Sequence, residues 1–289
     1  MVVFSSLFYA SYGIWTKLMG ASFGGYTASA LRSILVLVFL LPIAAIYRQL
    51  EPVNFRRNGR YLLGMTLSSL LIWGPLYYAI LHAGVGISLA INYAGIVIGM
   101  LLFGWLFAGE NITRDKVLSI ILSLVGLALV FSPSVSNLGW VALSSALVSG
   151  LCGALDNISA KKVRYNVTQT TVFVWVTSAI ANVFMALVAG QALPSAGLHT
   201  KWFFLVMFAV ASVGASWFFV KGLKLIDAGA AGILGLIEIV FGVLFGALFF
   251  SERPGITTLV GMAVIIAAAA IPYIKDYNTK RGTLDIAQG

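Results

Sequence analysis

Apolar residues run in long blocks along this chain, at about 2 to 19, 25 to 47, 61 to 82, 86 to 108, 117 to 131, 138 to 160, 169 to 190, 201 to 222, 229 to 250 and 257 to 274. Charges or Gly, Pro and Asn breaks separate the blocks. A helix that crosses the hydrocarbon core of a bilayer needs roughly 20 such residues. The pattern therefore predicts an all-α integral membrane protein with ten transmembrane helices joined by short loops and no soluble domain.

Two blocks read alike. Ile91 to Glu110 aligns without gaps on Ile233 to Glu252 at a constant offset of 142, and the alignment superposes seven identities, among them Gly104/Gly246 and Glu110/Glu252. A polar, turn-rich segment at 132 to 139 divides the ten helices five and five. The halves are expected at 1–132 and 138–275, followed by a cytoplasmic tail at 276–289. Because five is odd, the second half enters the membrane from the opposite side, giving two inverted five-helix repeats. Such repeats can rock about a midplane site and give alternating access. Opposite topology sends Glu110 to the cytoplasmic side and Glu252 to the outer side, as matching elements of two gates.

Composition fixes the solvent. With 60% hydrophobic residues, 9% charged and a mean hydropathy of +1.00, there is too little polar surface to face water, and lipid is the expected surrounding. The net charge of +9 suggests nucleic acid until its placement is read. Fourteen basic residues fall on one side of the predicted helices, and only Lys201 and Arg253 fall in the opposite loops. That positive-inside bias places both termini in the cytoplasm of a cytoplasmic-membrane protein, with the lipid bilayer and not nucleic acid as partner. The first helix has no basic n-region and is expected to be retained. Cys152 is the only cysteine, so no intrachain disulfide or cysteine-rich metal site forms. His82 and His199 are the only histidines, and no catalytic cluster, phosphate loop or cofactor site is expected.

An ionisable group inside a spanning helix costs about 3 kcal/mol and should face a cavity or a partner. Lys17, Arg32, Asp156 and Glu238 meet that condition. Glu238 lies near the middle of the ninth helix, on a face of small residues. It can bind a substrate ammonium or exchange a proton; alternatively it is a protonated carboxyl hydrogen-bonded to a neighbouring helix. Lys17 and Arg32 can neutralise a substrate carboxylate or snorkel to the interface. Asp156 stands five and six residues before Lys161 and Lys162 on the same predicted helix, and is read as the partner of an intrahelical ion pair. On the fourth helix Ser88, Asn92, Gly95, Gly99 and Phe103 share one face, and Asn92 is a candidate cavity hydrogen-bonder. Tyr78, Tyr93 and Trp217 are the aromatics best placed for a cavity, which would suit a small amphipathic organic molecule. Gly95/Gly99 and Gly242/Gly246 form GxxxG pairs, read as internal packing in preference to a dimerisation face. A monomer is expected, with a dimer as the alternative.

Several motifs carry a family resemblance. Tyr12 to Lys17 (YGIWTK) is similar to a W-G-x-x-x-x-K region, Ala30-Leu31-Arg32 to an A-x-R motif, and Leu236-Ile237-Glu238 with Glu252 to an L-x-E-P stretch ending in G-E, as does Gly109-Glu110. The chain resembles the drug/metabolite transporter superfamily, in particular its ten-helix EamA-type members. Tyr77-Tyr78, the turn at 84 to 88 and Asn92-Tyr93 resemble the aromatic amino acid exporters. The resemblance implies export of amino acids or similar metabolites through a central cavity gated by helices 3, 4, 8 and 9. Multidrug or lipid-precursor export is the nearest alternative, and a polytopic enzyme or assembly factor a more distant one. Two departures stand out: Ile239 and Val97 occupy positions where the family commonly has proline, which puts the expected kinks in question.

Overall fold

The computed structural model describes residues 1–132, 139–194, 197 and 199–271; the expected turn at 133–138 and the tail at 276–289 lie outside them. The described chain is helical: α1 (Val2–Ala10), α2 (Tyr12–Met19), α3 (Gly25–Ile46), α4 (Phe55–Ala83), α5 (Val85–Ala108), α6 (Arg114–Phe131), α7 (Trp140–Lys162), α8 (Val167–Val188), α9 (His199–Leu225), α10 (Ala228–Gly235), α11 (Ile237–Phe250) and α12 (Ile256–Ile271).

Among the described residues seven spans are long and apolar enough to cross a membrane: α3, α4, α5, α7, α8, α9 and the α10–α11 unit. The three remaining predicted spans fall short for separate reasons. The first is interrupted between α1 and α2, α6 opens on Arg114, Asp115 and Lys116, and the described part of α12 has 16 residues. The protein is a multi-pass membrane protein.

Its packing is inverted relative to a water-soluble bundle. Large apolar side chains such as Val38, Leu63, Leu187 and Leu248 point outward, whereas Ser5, Ser33, Ser68, Ser88, Ser149 and Ser212 are buried between helices with many alanines. Helix association without a hydrophobic driving force relies on such small residues, which let backbones approach. The closest approach joins α5 to α7. A Cβ on Gly95 would stand 3.0 Å from Leu147 O and 3.2 Å from Gly150 Cα, and one on Gly150 would collide with Asn92 O.

Helix contacts come in mates. α7 packs on α4 and α5, as α1 packs on α9 and the α10–α11 unit; α3 on α9 matches α8 on α4; and α3 on α8 is its own mate. The correspondence is that of a twofold axis running between α3 and α8. Val97 and Ile239, the residues standing where prolines were anticipated, are both buried in one apolar cluster with Ile120, Leu127, Ile233 and Ile265.

Candidate functional site

Two helices break at neighbouring positions. Between α1 and α2, Ser11 N donates to Phe8 O at 3.2 Å and Ser11 Oγ donates to the same carbonyl at 2.6 Å. Between α10 and α11, Leu236 N donates to Ile233 O at 3.2 Å and Ile239 N to Leu236 O at 3.0 Å. These i to i−3 bonds tighten the turn, as in a 3₁₀ segment. A break leaves carbonyls without their ordinary helical donors, and in a membrane they must be satisfied by neighbours. Ser6 Oγ on α1 lies 3.4 Å from both Leu234 O and Gly235 O. The kink in question at Ile239 thus forms without proline, with Gly235 at the break, whereas α5 runs through Val97 uninterrupted.

Glu238 sits in the first turn of α11, directly after the break. Tyr93 Oη, from α5, donates to Glu238 Oε1 at 2.9 Å. The two sequence candidates are therefore one hydrogen-bonded pair. Tyr9, on the last turn of α1, lies within electrostatic reach of Glu238, Tyr12, Arg32 and Asp156, and so links the polar side chains of α1, α2, α3, α7 and α11.

Arg32 is 3% exposed. Four rings surround its guanidinium: Phe208 at 4.5 Å, Tyr12 at 5.2 Å, Trp73 at 5.3 Å and Trp175 at 5.5 Å from ring centroid to Cζ. Trp175 is fixed by its own Nε1 donating to Ser216 Oγ at 2.8 Å. Arg32 Nε is buried without a hydrogen-bond partner. The residue does not snorkel, because its helix position directs it between α4, α8 and α9.

Asp156 departs from its expected role. Its Oδ1 is buried with no hydrogen-bond partner, while Lys161 reaches away from its own helix to Glu110 Oε1 at 2.6 Å. Five residues of spacing take Lys161 off the face that i, i+3 and i, i+4 pairs share, and Glu110 at the end of α5 is the better-placed carboxylate because α5 and α7 are in close contact.

The two duplicated glutamates end their helices in the same way. Gly109 and Ser251 hold the left-handed conformation at φ 70° and 55°, so Glu110 N donates to Gly104 O and Glu252 N to Gly246 O. Each carboxylate folds back over the glycine; a Cβ on Gly104 would meet Glu110 Oε2 at 2.8 Å, and one on Gly246 would collide with Glu252 Oε2. Each then pairs with a lysine on the first helix of the other half, Glu110 with Lys161 and Glu252 with Lys17, both at 2.6 Å. Glu110 also accepts from Ala228 N, the start of α10, at 2.8 and 2.9 Å.

Other sequence candidates lie elsewhere. Asn92 is not a cavity group: its Nδ2 donates to Ser149 Oγ at 2.8 Å, which donates on to Ile72 O at 2.6 Å, pinning α4, α5 and α7 together. Tyr78 is 40% exposed and stacks on His82. Trp217 donates to Thr168 Oγ1 and lines a separate apolar cleft of about 260 Å³ with Leu40, Ile43 and Val213. Lys17 lies over the Phe250 ring at 4.1 Å beside Glu252. Gly95 and Gly99 pack against α7, Gly246 receives Glu252, and Gly242 faces open space. Tyr9, Trp73 and Trp175, aromatics with polar tips on the first, third and seventh predicted helices, join the central cluster, as does Phe208, which no sequence feature marked. The repeat offered one pointer, since the 142-residue offset carries Arg32 to Val174, next to Trp175.

A model of the EamA-like transporter family matches residues 1–132 and again residues 140–273. No curated protein matches the sequence with significance. A solved crystal structure, described only as that of a protein, superposes with a TM-score of 0.79 at 15% identity, over 96% of this chain and 97% of that chain; at that identity it speaks to the fold alone. The two family matches take in nearly the whole described bundle and both copies of the glutamate turn: the chain belongs to the EamA-like transporter family, within the drug/metabolite transporter superfamily, and is a membrane transporter of small molecules.

Proposed function

We propose that this chain is a secondary transporter of the cytoplasmic membrane that exports amino acids or similar small amphipathic metabolites by alternating access, with both termini on the cytoplasmic side. The observation that carries the reading is the Glu238–Tyr93 pair, set beside two helix breaks at adjoining positions. Broken helices at midmembrane are tolerated where they line a cavity or bind solute. The fourteen-to-two distribution of basic loop residues supports the orientation.

The mated packing supports the motion. Each half contributes a first helix that packs on the third and fourth spans of the other, so rocking about the α3–α8 contact opens one end as it closes the other. On this orientation Glu110–Lys161 closes the cytoplasmic end and Glu252–Lys17 guards the outer end. Energy comes from the substrate gradient or from a proton exchanged at Glu238. Glu238→Gln removes the exchangeable proton at near-constant volume. In proteoliposomes it is expected to abolish uptake driven by a pH gradient while leaving passive exchange; unchanged coupling would overturn the proton role.

A further inference from the structure

Buried charges in this bundle are arranged by sign. Arg32 lies among four aromatic rings, and no hydrogen bond or ion pair from it to another protein group is formed among the described residues. Cation–π contact favours the charge, but it leaves the five N–H donors of a guanidinium unused. Removing such a charge from water is costly unless it is paired and hydrogen-bonded. Among planar anions a carboxylate fits the guanidinium fork with two parallel hydrogen bonds. Within electrostatic reach of Tyr9, as Arg32 is, stand Glu238, whose hydrogen bond from Tyr93 engages only Oε1, and Asp156, whose Oδ1 is buried and unmatched. Two acids with free acceptor oxygens suit a primary ammonium, which has three donors and no acceptor.

A plain organic cation would satisfy the acids and meet repulsion at Arg32, and a plain anion would do the reverse. Only a molecule carrying both signs satisfies both poles. The rings around Arg32 would then flank an apolar body and keep water from the carboxylate.

We propose that the centre of the bundle is a two-pole site for a zwitterionic substrate, with caged Arg32 taking its carboxylate and Glu238 and Asp156 taking its ammonium. The proposal rests on the transporter reading above and adds Asp156 and the caging rings Tyr12, Trp73, Trp175 and Phe208 to the substrate contacts. It also selects amino acids over cationic drugs.

The test uses the full-length protein with three tritiated probes: phenylalanine, phenethylamine, which lacks the carboxylate, and hydrocinnamic acid, which lacks the ammonium. Leucine and threonine serve as further amino acids. Equilibrium binding is read in detergent and counterflow in proteoliposomes. Each truncated probe should bind roughly 10- to 100-fold more weakly than the amino acid, the value of one charge-assisted contact. Arg32→Gln should erase the preference for phenylalanine over phenethylamine, and Asp156→Asn the preference over hydrocinnamic acid. Should Arg32→Gln fail to fold, the probe comparison on the unaltered protein still decides. Phenethylamine bound as well as phenylalanine overturns the site while leaving transport standing if either is carried. Selective amino acid binding without counterflow upholds the site and overturns the transport reading, and neither binding nor counterflow overturns both.

Discussion

The two ends of the bundle carry the same ion pair with different consequences. Glu110–Lys161 and Glu252–Lys17 have the same length, 2.6 Å, and grow from the same helix-ending turn, yet the side chains of the first are 10% and 16% exposed and those of the second 57% and 52%. Glu110 is further held by the start of α10. No hydrogen bond from the start of α5 reaches Glu252 in return among the described residues. Around Glu110 the loops are tied as well: Lys116 reaches Asp227, Lys224 reaches Val163 O and Tyr165 O, and Asn58 accepts from Arg164 N. Among the described residues the opposite end holds by fewer ties, chiefly Gln191 to Tyr26 and Thr27 and Lys201 to Leu18 O. Distance alone does not rank two ion pairs; the dielectric around them does. One end is latched and the other is poised to part.

The largest test of that contrast removes each glutamate. Glu110→Ala takes the carboxylate from the half-buried Lys161, leaving it the Ile226 carbonyl, and from the α10 start, with an expected cost of about 3 kcal/mol, whereas Glu252→Ala should cost about 0–1 kcal/mol. Thermal unfolding in one detergent reads both as shifts in Tm, and equal shifts would break the comparison. A second contrast concerns packing against α5, the fourth span, and on its mate α11 in the ninth. Gly150→Ala drives a Cβ into Asn92 O at the α5–α7 contact and should destabilise by about 1–3 kcal/mol. Gly242→Ala enters open space and should stay within about 0.5 kcal/mol of neutral; the reverse order would mean that α11 is packed as closely as α5.

A finer comparison lies in the turn itself. Ser251 holds φ 55° where its mate is Gly109, and a left-handed residue with a Cβ costs about 1–2 kcal/mol. Ser251→Gly should recover part of that and raise Tm, while Gly109→Ser should lower it. The smallest effect is screening. In double-mutant cycles the exposed Lys17–Glu252 coupling, about 0.2–1 kcal/mol, should fade as salt rises to 1 M, where the screening length is about 3 Å, and the Lys161–Glu110 coupling should change less. Loss of both in parallel would show that the Glu110–Lys161 pair is as hydrated as the other.

The helices were legible because their signal is local. A run of about 20 apolar residues marks a span wherever it occurs, and the glutamate turn repeats in residues that can be aligned by eye. The site was legible in part. Glu238 and Arg32 drew attention as charges among apolar neighbours, and Tyr93 as an aromatic beside a polar residue. Asn92 was misplaced by the same reasoning, because a polar side chain on a small-residue face serves a helix contact as readily as a cavity. Lys161 turned to Glu110 instead of Asp156 because five residues of spacing leave the face that i, i+3 and i, i+4 pairs share, while α7 lies against α5 and brings in a carboxylate 51 residues distant in sequence.

The sequence by itself determined the solvent, the helical class, the position of the basic loops and the duplication, since each follows from residue type and spacing within one segment. Only the tertiary structure decided that α1 breaks beside α10–α11 without a proline, that four rings from α2, α4, α8 and α9 enclose Arg32, and that the two glutamates close unequal ends. Those outcomes depend on which helices meet and how closely, which glycines and serines at distant positions set together.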